Sequence, residues 1–190
     1  MSEYKFVEKP LLNQLASMGW VVYEQGAGLP KDPAKSLRTS FKEIVIKSEF
    51  KKCVKANNLY KGEPWLTDDQ LDGLYEDFTD FSERSLLENN QEFLARLNKW
   101  QVDENVLTGD QNPVVKIIDF DNWQANSFIA INQYRVDTPG GVKSCIIPDV
   151  VLLVNGMPMV VIECKDVNSY TSDPMHQAIE QMLRYADMRE

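Results

Sequence analysis

Residues 146–166 read IIPDVVLLVNGMPMVVIECKD, two apolar runs joined by Asn155-Gly156. Asn-Gly between two apolar strands is the strongest short-range signal for a β-hairpin, because the tight turn needs positive φ at both central residues. VVLLV and MVVI are nearly continuous apolar runs, the pattern of strands covered on both faces. Yet Asp149, Glu163 and Lys165 stand at the outer ends of these runs. Buried charge is costly unless it is paired or bound to metal, so these three residues need a reason.

Strand side chains alternate faces, so Glu163 and Lys165 share one face while Ile162 and Cys164 point the other way, into the core. A two-residue turn at Asn155-Gly156 places Asp149 opposite Ile162 and diagonal to Glu163, at comparable depth. Pro158 cannot donate to the ladder. Two carboxylates brought together keep their charge near neutral pH most easily with a cation between them. Mg²⁺ prefers carboxylate oxygens, backbone carbonyls and water. Asp149 and Glu163 are therefore candidate ligands, with the carbonyl of Ile162 or Cys164 as a third. A Mg²⁺ held there would bind a phosphodiester oxygen and activate a water. Lys165 would orient or deprotonate that water, or offset charge at phosphorus; the pattern leaves these roles open. The plainer alternative is a solvated sheet face bearing three charges, and the apolar runs speak against it.

Elsewhere the periodicity predicts a helix over 8–20, with Leu11, Leu12, Leu15 and Met18 on one side and Gly19 at its end. WVVYEQ (20–25) reads as a short strand and 26–35 as a Gly/Pro loop. Residues 38–57 have a helical pattern. Helices follow from Thr67, whose hydroxyl can cap an acidic first turn, and over 83–100, with a possible break at Asn89-Asn90. After Pro113 the texture becomes β-rich: 114–120, 126–136, a DTPGG turn (137–141), 145–154 and 157–165. Asp173 as N-cap and Pro174 at the first helical position open a final helix. Helices, a four-strand meander and a helix predict an α+β or α/β domain with a mostly antiparallel or mixed sheet. The chain stops at Glu190 without a C-cap, as expected of a domain cut from a longer protein.

The chain has 190 residues, enough for one sizeable core. No apolar run reaches the length of a membrane span, and the first residues lack a signal-peptide core, so the expectation is a cytoplasmic protein with no membrane partner. Cys53, Cys145 and Cys164 form neither a disulfide framework nor a zinc pattern and are expected to be reduced. Net charge is −9, unlike a simple nucleic-acid-binding surface. The acidity is concentrated: residues 61–121 hold fifteen Asp or Glu against five Lys or Arg. Lys47, Lys51, Lys52 and Lys55 line one helix side; a solvated face is the favoured reading and a DNA contact the alternative. His176, the single histidine, is expected on a helix surface. Gly26-Ala27-Gly28 is too short for a phosphate-binding loop.

Pro148-Asp149, a gap of thirteen residues and Glu163-Cys164-Lys165 match the PD-(D/E)xK nuclease motif. The longer string PDVVLLVNGMPMVVIECK resembles the nuclease motif of the N-terminal domain of type I restriction enzyme R (motor) subunits. Gln181 and Tyr185 fit the Q-x-x-x-Y helix that follows the lysine in that family. Glu8, on a helix leading to Gly19-Trp20, fits its early glutamate. FDNWQANSFIAINQYRV and the segment around Arg38 are similar to other parts of it, while residues 60–110 are poorly matched and read as an acidic helical elaboration.

The resemblance implies a single endonuclease domain over 1–190 with a restriction-endonuclease-like mixed sheet flanked by helices. It implies Asp149 and Glu163 as Mg²⁺ ligands, with the Cys164 carbonyl, and Lys165 as catalytic lysine. Gln181 and Tyr185 would position DNA or support the site, and Glu8 would be an accessory acidic residue. It further implies double-stranded DNA as substrate, methylation and specificity subunits as partners, and an ATP-driven translocase downstream that alone would use ATP. Two other readings stay open: a repair or junction nuclease of the same superfamily, and a nuclease-like fold used only for docking.

Overall fold

The structure is a computed structural model and describes residues 3–80, 85–138, 144–166 and 173–187. A π-helical turn, Tyr4–Glu8, leads into α1 (Lys9–Ser17), β1 (Val21–Tyr23) and a 3₁₀ turn, Pro33–Ser36. Then come α2 (Lys47–Asn57), β2 (Leu59–Tyr60), β3 (Glu63–Pro64), α3 (Asp68–Thr79) and α4 (Leu86–Lys99). The chain continues through a second 3₁₀ turn, Trp123–Ala125, to β4 (Phe128–Asn132), β5 (Val136–Asp137), β6 (Cys145–Ile146), β7 (Val150–Val154), β8 (Met157–Ile162) and α5 (Pro174–Asp187). The main sheet has the order β1-β4-β7-β8. β1 is parallel to β4, with Val22 beside Ala130. β4 and β7 are antiparallel: the Gln133 N–H donates to Asp149 O and the Asn155 N–H to Ser127 O. The result is the α+β fold with a mixed, helix-flanked sheet that the sequence predicts.

The chain divides into two compact units. The first comprises Met1–Ile44, Phe128–Leu153 and Pro158–Glu190. Its core brings Leu12 and Leu15 of α1 against Ala130, Val150 and Cys164. Gly19, at φ +96°, ends the helix in the left-handed region that a side chain would resist. The second unit comprises Val45–Ser127 and Val154–Met157, and so contains the whole acidic segment. Its core holds Phe50, Val54, Leu71, Leu74, Phe78, Val115, Ile117 and Met157. Phe78 lies 5.4 Å from the Phe50 ring and 5.0 Å from Phe93. Full burial of such a side chain contributes about 1.5–3 kcal/mol. Both helices of the acidic segment open on a capping box, Thr67 with Gln70 and Ser85 with Glu88.

The hairpin turn forms as predicted, with Asn155 at φ +50° and Gly156 at φ +80°. Gly156 is required twice over. A Cβ there would sit 2.7 Å from Ile46 O and 2.9 Å from Phe50 N, both backbone atoms.

Four expectations are corrected. Residues 38–46 are not helical; the helix begins at Lys47. Arg38 is buried, donating to Glu43 O (3.2 Å) and Arg135 O (2.9 Å) and stacking 3.8 Å from the Tyr134 ring. The apolar spacing of this segment reflects burial of Phe41, Val45 and Ile46 from an irregular backbone. Residues 114–120 do not form a strand, although Val115 and Ile117 are buried. Asparagines take the place of a neighbouring strand: Lys116 N–H donates to Asn58 Oδ1, Asn58 Nδ2 to Lys116 O, and Asn155 Nδ2 to Ile117 O, each at 2.8 Å. The fourth strand of the main sheet is instead β1. α4 runs unbroken through Asn89-Asn90, since the Asn89 N–H donates to Ser85 O. The stretch 126–136 is split, because Gln133 turns into the left-handed region at φ +49°. The DTPGG turn lies mostly outside the described residues.

The lysine run is not an open basic face. Lys47 and Lys51 both reach Asp72 at 2.8 Å, and Lys55 reaches Asp68 at 2.8 Å. Cys53, Cys145 and Cys164 are free thiols.

Candidate active site

The site belongs to the first unit. β7 begins one residue after Asp149 and β8 ends one residue before Glu163. The antiparallel hairpin therefore delivers both carboxylates at the same end of the sheet. Asp149 Oδ2 accepts from the Cys164 N–H at 2.7 Å. Lys165 Nζ lies 3.9 Å from Asp149 Oδ2 and 3.8 Å from Glu163 Oε2, and donates to Cys164 O at 3.0 Å. The three residues singled out in the sequence thus converge.

Glu163 is the most unusual of them. Its side chain is 2% exposed, and neither carboxylate oxygen has a hydrogen-bond partner. Burial, then repulsion from Asp149, pushes its pKa up to about 7. Tyr185 and Lys165 oppose that rise. A buried acceptor without a partner carries a desolvation cost of about 1–3 kcal/mol.

Among the described residues no cluster of three His, Cys, Asp or Glu side chains forms a ready metal site. The candidate set is two carboxylates and a carbonyl. It fits a hard cation on chemical grounds, since the orphaned Glu163 oxygens are the donors Mg²⁺ prefers. Burial pushes the Cys164 thiol up to about 12, so this residue can offer its carbonyl and not a thiolate.

Gln181 and Tyr185 meet as the helical spacing requires. Gln181 Nε2 donates to Tyr185 Oη at 2.7 Å, and the hydroxyl reaches Ile147, two residues before Asp149. Burial raises the Tyr185 pKa, keeping the phenol neutral. α5 is capped by Asp173, which accepts from the His176 N–H at 3.0 Å. His176 lies on the exposed side, 3.2 Å from Glu180. Glu8 is buried, and desolvation raises its pKa against bonds from Asn132 and Gln133. Gln133 Nε2 reaches both Glu8 oxygens at 3.2 Å and Asp149 Oδ1 at 3.4 Å. Sequence reasoning missed Gln133. Its one signal is the polar pair Asn132-Gln133 closing an apolar strand, as Asp149 and Glu163 close theirs.

This chain belongs to the family described as the type I restriction enzyme R protein N terminus, whose family model matches residues 1–190. It is 30% identical over 182 residues, 95% of its length, to the type I restriction enzyme HindI endonuclease subunit of Haemophilus influenzae. It is 29% identical over 175 residues, 89% of its length, to a Methanocaldococcus jannaschii protein provisionally named as the type I restriction enzyme MjaIXP endonuclease subunit. The chain spans 16% of the length of each of these relatives. Among the described residues no helix is long and apolar enough to cross a membrane.

Proposed function

We propose that this chain is the Mg²⁺-dependent DNA endonuclease module of a type I restriction–modification enzyme, with a PD-(D/E)xK site. The observation that carries this reading is the buried Glu163 carboxylate, without a hydrogen bond and set beside Asp149 and Lys165. Asp149 and Glu163 would hold Mg²⁺, with the Cys164 carbonyl as a further oxygen donor. An ion held there would supply Lewis-acid polarisation of the phosphodiester and a more acidic water.

The chain's own groups do the rest. The Cys164 N–H fixes Asp149. Lys165 places its ammonium between the two carboxylates, where it orients the attacking water and offsets charge developing on the phosphate oxygens. Gln181 and Tyr185 brace the backbone ahead of Asp149 and would support the site or position DNA. No base-reading motif is needed, because sequence choice falls to a specificity subunit. The substrate is double-stranded DNA, met in the cytoplasm. The partners are methylation and specificity subunits and an ATP-driven translocase in the same subunit.

The test is DNA cleavage by the full-length subunit in its complex, with ATP and Mg²⁺, for wild type and Lys165→Ala. Lost cleavage with ATP hydrolysis retained is the expected result. Cleavage by Lys165→Ala at the wild-type rate would overturn the assignment.

A further inference from the structure

We propose that Gln133 is a positioning residue for Asp149, and that Glu8 acts on the metal site through Gln133 and not as a ligand. This deepens the nuclease reading and rests on it. Gln133 stands at φ +49°, a backbone position that is uncommon for residues other than glycine, asparagine and aspartate. Such strain persists where the surroundings over-determine it, often at functional sites. Here the turn keeps the Gln133 N–H on Asp149 O at 2.7 Å while bringing its side chain to the Asp149 carboxylate. One residue is thus tied to Asp149 by main chain and side chain together.

The amide faces two carboxylates, Glu8 on one side and Asp149 Oδ1 on the other. A carboxylate only accepts, so the NH₂ end must point at both, one hydrogen for each. Asp149 Oδ2 is already held by the Cys164 N–H. With both oxygens engaged, the carboxylate plane is fixed and its remaining lone pairs are left for a cation. Glu8 is fixed in turn: Asn132 Nδ2 donates to it at 3.2 Å and to Gly26 O at 2.9 Å. The line Glu8–Gln133–Asp149 therefore runs from the start of α1 through the end of β4 to the start of β7. Outer residues that orient metal ligands typically matter by about 10–100-fold in metal affinity or activity.

The experiment is a calorimetric titration of Mn²⁺ and Mg²⁺ into the full-length subunit, with DNA cleavage by the complex measured over the same metal range. Gln133→Asn keeps an amide and tolerates the left-handed backbone, but is one methylene too short to bridge. It is expected to raise the half-saturating metal concentration by roughly tenfold or more, with most of the cleavage rate recovered at saturating metal. Glu8→Gln keeps the side chain's shape and gives an independent reading if Gln133→Asn does not fold; it is expected to shift the same parameter. The double variant should be no worse than the worse single, because both break one linkage. Asp149→Ala in the same titration separates the two levels of inference. If Asp149→Ala loses the site while Gln133→Asn and Glu8→Gln keep wild-type half-saturation, the Gln133 proposal alone is overturned. If Asp149→Ala binds and cleaves as wild type, the nuclease reading falls and this proposal falls with it.

Discussion

Asp72 on α3 and Glu163 after β8 are carboxylates of one chain in opposite surroundings. Asp72 is bonded by Lys47 and Lys51, which hold its pKa below the usual range. Asp68 is held down in the same way by Lys55, and Asp119 by the Asn122 N–H and then Lys116. Glu163 is buried, lacks a hydrogen bond and is pushed up to about 7. Asp68 and Asp72 of the acidic middle are answered by lysines of α2, and Asp119 by Lys116 of the segment itself. At the hairpin end one ammonium, that of Lys165, stands 3.9 Å from Asp149 and 3.8 Å from Glu163, and the two regions teach that charge density does not mark a site. A single unsatisfied carboxylate beside another is more informative than fifteen acidic residues, of which Asp68, Asp72, Glu92 and Asp119 have basic partners.

That contrast can be broken at the site first. Asp149→Ala or Glu163→Ala should lower DNA cleavage by the assembled enzyme by more than about 100-fold, the scale of losing a main electrostatic contributor. Rates within a few-fold of wild type would show that the pair is not catalytic. The next effect is on stability. Glu163 binds its proton more tightly folded than unfolded, so its ionisation costs stability as pH rises from about 4.5 to about 7. Glu163→Gln should therefore stabilise the metal-free protein at pH 8 by on the order of 1–3 kcal/mol. It should also flatten the fall in Tm across that window. Thermal melts from pH 4 to pH 8 with EDTA check both, and an unchanged profile would mean that Glu163 is solvated in solution.

The smallest effect belongs to the paired region. Asp72→Asn should give a slight loss of Tm at neutral pH that vanishes in 1 M salt, where exposed pairs are screened. Its sign with pH is opposite to that of Glu163. Asp72 ionises more readily when folded, so its contribution is present above the ordinary aspartate range and lost as pH falls through it. A large or salt-independent loss would mean that α2 and α3 depend on this pair more than exposed geometry allows.

Much of the site was legible because its signals are local. Asn155-Gly156 dictates the turn, the turn dictates antiparallel strands, and the strands bring Asp149 and Glu163 to one end. Gln181 and Tyr185 meet because positions four apart share a helix face. Gln133 was not legible, since its partner Glu8 lies 125 residues away and its left-handed backbone has no sequence signature. Residues 114–120 misled for a related reason. Alternating burial looks like a strand, but Asn58 and Asn155 supply the hydrogen bonds that a neighbouring strand would have made.

The sequence by itself determined the hairpin, the capped helices, the class of fold and the three charged residues that close the apolar runs. Each follows from backbone preferences or spacings within a few residues. Only the tertiary structure decided that Glu163 would be buried without a hydrogen bond, that residues 38–46 would be irregular around a buried Arg38, and that Gln133 would join Glu8 to Asp149. Those outcomes depend on which distant groups arrive at the same place and on whether water is left there, and one-dimensional spacing carries neither.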